Sequence, residues 1–290
     1  MNKPEKIAFF SFPLILFLGL FFALAGGQYG NSFKNFSVFS LIVAIVFLIQ
    51  FVVFIPAMIF QTEKYFDITG SLTYIIAALA ALFVNNNIDA RSVLLSLLVI
   101  VWAFRLGLFL FKRIHKAGKD DRFDNMKLSF IRWLNAWNLQ GLWIVFTSAA
   151  ALTAVSSRNK VEFGILGTIG LIIWIIGFGI EVVSDNQKSR FNSNPINKGN
   201  FIKEGLWSRS RHPNYFGEIL LWFGIAIISL PVLKGVQLFT LISPVFVYIL
   251  LTKISGIPML EKKAEKKWGG QPEYEAYKNS TPVLLPKFFS

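Results

Sequence analysis

Long apolar runs alternate with short polar stretches along the whole chain. Most runs approach the roughly 20 residues that an α-helix needs to cross about 30 Å of hydrocarbon. Turn-forming stretches such as Gly26-Gly27-Gln28 and Asn85-Asn86-Asn87 separate them. The predicted spans lie near residues 7–25, 38–60, 69–84, 91–111, 135–154, 163–183, 216–231 and 236–252. We therefore expect an all-α, polytopic membrane helix bundle of about eight transmembrane helices, formed by a single domain over residues 1–290.

The composition agrees with this pattern and excludes several kinds of site. Hydrophobic residues make up 54% of the chain and charged residues only 16%, against about 25% charged in soluble domains. With no cysteine there can be no disulfide, iron–sulfur cluster or thiolate-bound zinc. The two histidines, His115 and His212, are far apart in sequence. We therefore predict no metal site.

The net charge of +13 indicates orientation rather than a nucleic-acid partner. In the predicted topology, most lysines and arginines fall on the side that holds both termini, which the positive-inside rule assigns to the cytoplasm. The first apolar run imitates a secretory signal peptide, but its length and the span that soon follows predict that it is retained. We expect contacts with membrane lipids and no obligate protein partner.

Arg105 is a charged residue inside the fourth predicted span. A charge at this depth costs about 3 kcal/mol, so it normally faces a cavity or a partner. Two interpretations remain open. The side chain either reaches toward the cytoplasmic surface, or it lines a cavity and holds an anion.

Acidic residues gather at the cytoplasmic end of the sixth span. Glu181 and Asp185 are four residues apart and share a helix face, with Lys188 one turn later. Two interpretations are open. The acids are simply solvated, or they are buried and need partners, because acids near a helix C-terminus oppose the helix dipole. Such partners would be ribose or amide donors, or the arginines at 209 and 211.

The segment that leads into the seventh span predicts an anion site. Pro213 marks the N-terminus of the helix, where free N–H groups and the helix dipole favour anions. Arg209 and Arg211 lie beside it and would reinforce binding of phosphates or a carboxylate.

The same segment holds further polar residues that an interfacial belt of aromatic and basic anchors does not explain. His212, Asn214 and Glu218 occur together there, with Asn214 and Glu218 on one helix face and Tyr215 between them. We favour a functional site. Further along, a charged helix at the membrane surface explains the lysines after residue 260, while Glu261 and Tyr277 are placed to close over a cytoplasmic pocket.

The sequence resembles a known membrane family. "GLWSRSRHPNYFGE" (205–218) and "SGIPMLEKKAEKKWGGQPEYEAYKNSTPVLLP" (255–286) carry the resemblance, together with "FDITGSLTY" (66–74), "GKDDRFD" (118–124) and "EVVSDNQKSRF" (181–191). These segments are similar to the bacterial branch of the steroid 5-alpha-reductase family. Its superfamily also contains sterol delta-14 reductases and isoprenylcysteine carboxyl methyltransferases.

The resemblance implies that NADPH binds from the cytoplasm within about residues 104–290, beside a substrate cavity open to the bilayer. It implies that Asp185 matches a family aspartate, that Asn214 contacts the nicotinamide end, and that Arg209 and Arg211 suit the phosphates. Asp120, Asp121 and Arg122 are placed in a loop that covers the adenosine. The expected cofactor-binding set is Arg105, Asp185, Lys188, Arg209, Arg211, His212, Asn214, Tyr215 and Glu218.

The resemblance also implies the chemistry, which is NADPH-dependent reduction of a carbon–carbon double bond in a lipophilic enone such as a 3-oxo-delta-4 steroid. The early acid that polarises the carbonyl in the steroid reductases has no counterpart here. Asp67 is therefore assigned to that role, with Tyr65 and Tyr74 as alternatives, and the expected catalytic residues are Asp67, Tyr215 and Glu218. The substrate would enter from the bilayer of a bacterial inner membrane.

Two other functions remain open. One is a membrane methyltransferase that uses S-adenosylmethionine, since such relatives share an Arg-His-Pro-x-Tyr-x-Gly core, here 211–217, and a later glutamate, here Glu261. The other is a lipid-binding protein that keeps the pocket without turnover.

Overall fold

The computed structural model describes residues 1–117 and 120–287, apart from the side chains at 113, 114, 116, 117 and 121. The helices are α1 (Lys3–Gly27), α2 (Val38–Ile59), α3 (Phe66–Val84), α4 (Ala90–Ala117), α5 (Phe130–Ser156), α6 (Gly164–Ser193), α7 (Pro213–Ser229), α8 (Ile242–Ile249), α9 (Ile257–Trp268) and α10 (Pro272–Ser280). A short antiparallel hairpin pairs β1 (Ser32–Phe33) with β2 (Phe36–Ser37).

The predicted membrane helices are confirmed. Eight helical segments of the described chain are long and apolar enough to cross a membrane. The eighth is not one regular α-helix, because a 3₁₀ segment (Gly235–Leu241) precedes α8 and a π-helical segment (Leu250–Ile254) follows it. The expectation that both termini are cytoplasmic stays a prediction.

The chain divides into two compact units. The first comprises Met1–Gly167 and Ile228–Ser243, and the second comprises Thr168–Ile227 and Pro244–Ser290. The expectation of a single domain stays a prediction.

Helix α5 forms the centre of the first unit. Its apolar stretch is 83% buried, the largest share among the spans. Near its start, Trp133 and Trp137 pack on Phe66 of α3, with ring centroids 5.7 and 5.1 Å apart. Between α2 and α3, the Gln50 amide donates to the Thr73 hydroxyl over 3.0 Å, which satisfies one buried polar pair.

In the second unit, glycines bring α6 and α7 into backbone contact. A Cβ added to Gly177 would lie 2.7 Å from the Gly217 carbonyl oxygen, and one added to Gly217 would lie 2.6 Å from the Gly177 oxygen. A Cβ added to Gly224 would likewise lie 2.6 Å from the Gly170 carbonyl oxygen. Small residues at such crossings let membrane helices approach closely. The crossing holds the first turns of α7 against the end of α6, which carries the predicted acidic residues.

The segment between α6 and α7 is attached to α6. The indole N–H of Trp207 donates to the Ser184 carbonyl over 3.0 Å, and the backbone N–H of Leu206 donates to the Gln187 side chain over 3.0 Å. Gly205 precedes them with φ of 60°, in the left-handed region that favours glycine.

The same segment is also attached to the chain that follows α10. The backbone N–H of Arg211 donates to the Pro282 carbonyl over 2.9 Å, and the Ser210 hydroxyl donates to the Leu284 carbonyl over 2.8 Å. The positions just before α7 are therefore fixed from two sides, which limits where the side chains of residues 211 and 212 can lie.

Candidate functional site

A cavity of about 250 Å³ lies within the second unit. Trp207, Arg211 and His212, all in the segment before α7, form part of its lining, and Lys188 of α6 lies beside them. Helix α9 contributes six lining residues: Leu260, Glu261, Lys263, Ala264, Lys267 and Trp268. The cavity thus gathers polar segments that are up to about 90 positions apart in the sequence.

Aromatic rings form one wall of the cavity. Phe201 lies 5.2 Å from Tyr274, 5.4 Å from Tyr277 and 5.7 Å from Trp268, measured between ring centroids. Rings of this kind offer stacking surfaces to a nucleobase. Burial raises the pKa of the Tyr277 phenol, whose hydroxyl donates to the Trp207 carbonyl over 2.7 Å. Tyr277 is therefore a neutral wall residue that also holds the segment before α7.

Glu261 joins the two residues that precede Pro213. One carboxylate oxygen lies 2.7 Å from Nε2 of His212, and the other lies 2.9 Å from a terminal nitrogen of Arg211. Burial lowers the pKa of the His212 imidazole; Glu261 opposes this shift, and Lys188 and Arg211 add to it. We therefore take the ring as neutral near pH 7, with its Nε2 proton donated to Glu261.

Two buried atoms of this group have no hydrogen-bond partner among the described residues: Nδ1 of His212 and Nε of Arg211. Buried polar atoms in folded proteins are nearly always hydrogen-bonded, so such atoms require an explanation. Both residues line the cavity. A ligand that offers a hydroxyl donor to Nδ1 and an anionic oxygen to the Arg211 Nε–H would satisfy both.

Cations outnumber acids around the cavity. Its lining includes Lys188, Arg211, Lys263 and Lys267, against Glu261 as the acid. The ammonium group of Lys188 lies 4.4 Å from the Trp207 ring centre, and that of Lys267 lies 4.5 Å from the Trp268 ring centre. The net positive charge of the lining favours an anionic ligand.

The second unit brings several of the predicted residues together. Lys188, Arg211 and His212 line the cavity. The Asn214 amide donates to Asp185 over 3.2 Å, so an amide is a partner of one of the two acids on α6. Tyr215 stacks on His212, with ring centroids 5.7 Å apart and planes 11° apart.

Other predicted residues lie outside the cavity lining. Glu218 is half-buried on α7, four positions after Asn214. Arg209 is exposed, and its guanidinium donates to the Lys287 carbonyl over 3.2 Å. Their assignment to the cofactor stays a prediction.

The remaining two predicted residues belong to the first unit. The Arg105 guanidinium lies 5.5 Å from the Phe109 ring centre. Asp67 lies 3.6 Å from Arg122, which also forms an ion pair with Asp120. The loop that contains Arg122 is thus tied to the start of α3, while the side chain of Asp121 lies outside the described residues. The roles of Asp67 and Arg105 stay predictions.

Sequence reasoning missed much of the cavity on α9 and α10. The sequence assigns Glu261 to closure over a pocket and, in the methyltransferase alternative, to the later glutamate of those relatives, and it explains the lysines after residue 260 by the membrane surface. The available signal was the spacing of the lining positions 260, 261, 263, 264, 267 and 268, which form one helix face. That signal is weak because the opposite face is equally charged, with Lys262 and Lys266 exposed there.

Comparisons with known proteins give a family and one distant relative. A family model described as a protein of unknown function (DUF1295) matches residues 53–281. The probable O-methyltransferase ustE of Ustilaginoidea virens is 35% identical over 100 residues, which are 34% of this chain and 35% of that protein. The match thus spans about a third of the length of this curated relative. No solved structure matches the chain.

Proposed function

We propose that this chain, which belongs to the DUF1295 family of membrane proteins, is an NADPH-dependent reductase of a carbon–carbon double bond in a lipophilic enone. A 3-oxo-delta-4 steroid is one example of such a substrate. The observation that carries the proposal is the charge of the cavity in the second unit, where four cations accompany one acid among the described lining residues. NADPH bears a pyrophosphate and a 2′-phosphate, so it is the kind of polyanion that this lining suits.

The unsatisfied atoms of the cavity fit the same ligand. Arg211 Nε–H is a buried donor without a partner among the described residues and would bind a phosphate oxygen. His212 Nδ1 is a buried acceptor and would receive a ribose hydroxyl. Phe201, Trp268 and Tyr274 would contact the adenine ring.

The cavity is too small for the whole cofactor. Its volume of about 250 Å³ is below the roughly 300–1,000 Å³ of ordinary ligand pockets. We therefore assign it to the adenosine and phosphate portion. The nicotinamide end would extend to the first turns of α7, where the resemblance assigns Asn214 and Glu218.

NADPH supplies a hydride when bound, and the protein supplies orientation, exclusion of water and a proton. On this proposal, Asp67 polarises the substrate carbonyl, and Tyr215 or Glu218 holds the proton that completes the reduction. NADPH does not cross a bilayer, so the cavity would open to the cytoplasm of a bacterial inner membrane. The substrate, by contrast, would arrive through the lipid.

A second candidate function is methyl transfer from S-adenosylmethionine to a lipophilic substrate. The curated relative carries an O-methyltransferase name, and Arg211 and His212 of the shared core both contact Glu261. The excess of cations in the cavity lining argues against methyl transfer. S-adenosylmethionine carries a sulfonium and an ammonium against a single carboxylate, so it gains little from Lys188, Lys263 and Lys267.

Thermal stability of the detergent-purified protein separates the two candidates. A ligand that binds only the native state raises the free energy of unfolding by mass action, by about 2.7 kcal/mol at a hundred times its Kd. We expect stabilisation by NADPH and none by S-adenosylhomocysteine. Stabilisation by S-adenosylhomocysteine alone would contradict the reductase proposal and support the methyltransferase.

A further inference from the structure

Helix α9 presents two matched lysine pairs in different directions. Lys263 and Lys267 line the cavity, and both are also exposed to solvent. Lys262 and Lys266 are exposed on the same helix but are not part of the lining. The members of each pair are four residues apart, so each pair places two ammonium groups on one helix face.

The cavity-lining pair carries charge that nearby acids do not neutralise. Within 1–117 and 120–287, no ion pair joins Lys263 or Lys267 to an acidic side chain. Lys278 shows the contrast, because Glu265 and Glu275 both contact it, at 2.8 and 3.0 Å. Like charges four residues apart on a helix repel each other. A bound anion would remove that repulsion.

The cations of the cavity fall into two groups. The inner group is Lys188 and Arg211, of which Arg211 is held by Glu261 at 2.9 Å. The outer group is the exposed pair on α9, and its Lys267 lies over the Trp268 ring of the aromatic wall. A ligand that contacts both groups of cations must carry two separate anionic centres, and one of them must lie near a ring of the ligand that stacks on the aromatic wall.

We propose that Lys263 and Lys267 bind a phosphate on the ribose next to the base, and that they make the cavity select NADPH over NADH. This inference rests on the proposed function. The inner group would take the pyrophosphate, which both cofactors share. The outer pair would take the 2′-phosphate, which NADH lacks. A membrane-surface role accounts equally for all four lysines, whereas the cavity lining distinguishes one pair from the other.

The test is a binding titration read by fluorescence. Trp207 and Trp268 line the cavity, so their emission reports binding of a reduced nicotinamide cofactor without requiring turnover. The proteins are the wild type, Lys263→Ala/Lys267→Ala, and Lys262→Ala/Lys266→Ala as the control with the same charge change on the same helix. Each is titrated with NADPH and with NADH in neutral detergent, so that anionic lipid does not compete.

We expect the lining double variant to bind NADPH at least about tenfold more weakly, because charge-assisted contacts to the phosphate are lost. Its affinity for NADH should not change, and the control pair should keep both affinities. Lys263→Arg/Lys267→Arg, which retains both charges, should keep the preference for NADPH. Unliganded melting temperatures verify that every variant is folded.

Three outcomes would overturn the inference. An equal loss of NADPH and NADH would place the lysines at a shared phosphate. An equal loss in the control pair would indicate a general effect of surface charge, and no loss at all would remove the pair from the site. All three leave NADPH binding by the wild type intact. Failure of the wild type to bind either nucleotide would instead contradict the proposed function itself.

Discussion

His212 combines three properties that define its role in the cavity. It is buried, its Nε2 lies 2.7 Å from Glu261, and its Nδ1 has no partner among the described residues. Protonation would add an N–H at Nδ1 and place a positive charge near Lys188 and Arg211, both of which lower the imidazole pKa. The neutral ring is therefore the form that the cavity stabilises, and it leaves a lone pair for the ligand.

This charge state predicts how stability depends on pH. The folded pKa of His212 is below its ordinary value of 6.5, so the unfolded chain binds more protons below that pH. The stability that His212 contributes is fully present above pH 6.5 and decreases as the pH falls through the folded pKa. Melting temperatures between pH 7.5 and 5.5 should decline in the wild type and decline less in His212→Gln. Identical profiles would refute the neutral assignment.

At the scale of elements, the crossing of α6 and α7 places the predicted acids and Asn214 side by side. Gly177 and Gly217 allow this contact, because a Cβ on either would lie within 2.7 Å of backbone atoms. The close approach of the two backbones brings the Asn214 amide within hydrogen-bonding distance of Asp185, at 3.2 Å.

A matched pair of substitutions on α6 tests the crossing. Gly177→Ala should destabilise the protein by about 1–3 kcal/mol, because its methyl group would force the helices apart. Gly179→Ala adds the same group where no atom lies within 4 Å, so its melting temperature should match or exceed that of the wild type. If Gly177→Ala and Gly179→Ala have the same melting temperature, the helices do not pack through Gly177.

The apolar runs predicted the eight spans because lipid requires every spanning segment to satisfy its backbone internally. The acids at 181 and 185 and the segment before Pro213, whose role in a site stays a prediction, were also predicted from local patterns. The face of α9 that lines the cavity was not, because Lys262 and Lys263 are adjacent, identical residues in a stretch of mixed charges. The contact of Glu261 with His212 joins residues 49 positions apart, and no local pattern specifies such a distance.

At the scale of the whole molecule, cofactor binding and action on the substrate carbonyl are assigned to different residues. The cofactor cavity belongs to the second unit, whereas Asp67, assigned to the substrate carbonyl, belongs to the first. Asp67→Asn should therefore reduce turnover of an enone substrate about tenfold or more and leave the Kd for NADPH unchanged. Unaltered turnover would remove Asp67 from the mechanism. A loss of NADPH affinity would make it a cofactor residue instead.

The most direct measurement is an experimental structure of the protein saturated with NADPH. We expect nucleotide density in the cavity against the rings of Phe201 and Trp268, with phosphate oxygens against Arg211 and Lys188. We also expect the buried Nε of Arg211 and Nδ1 of His212 to gain hydrogen-bond partners on the nucleotide. Density for NADPH elsewhere in the protein, with this cavity empty, would contradict the account.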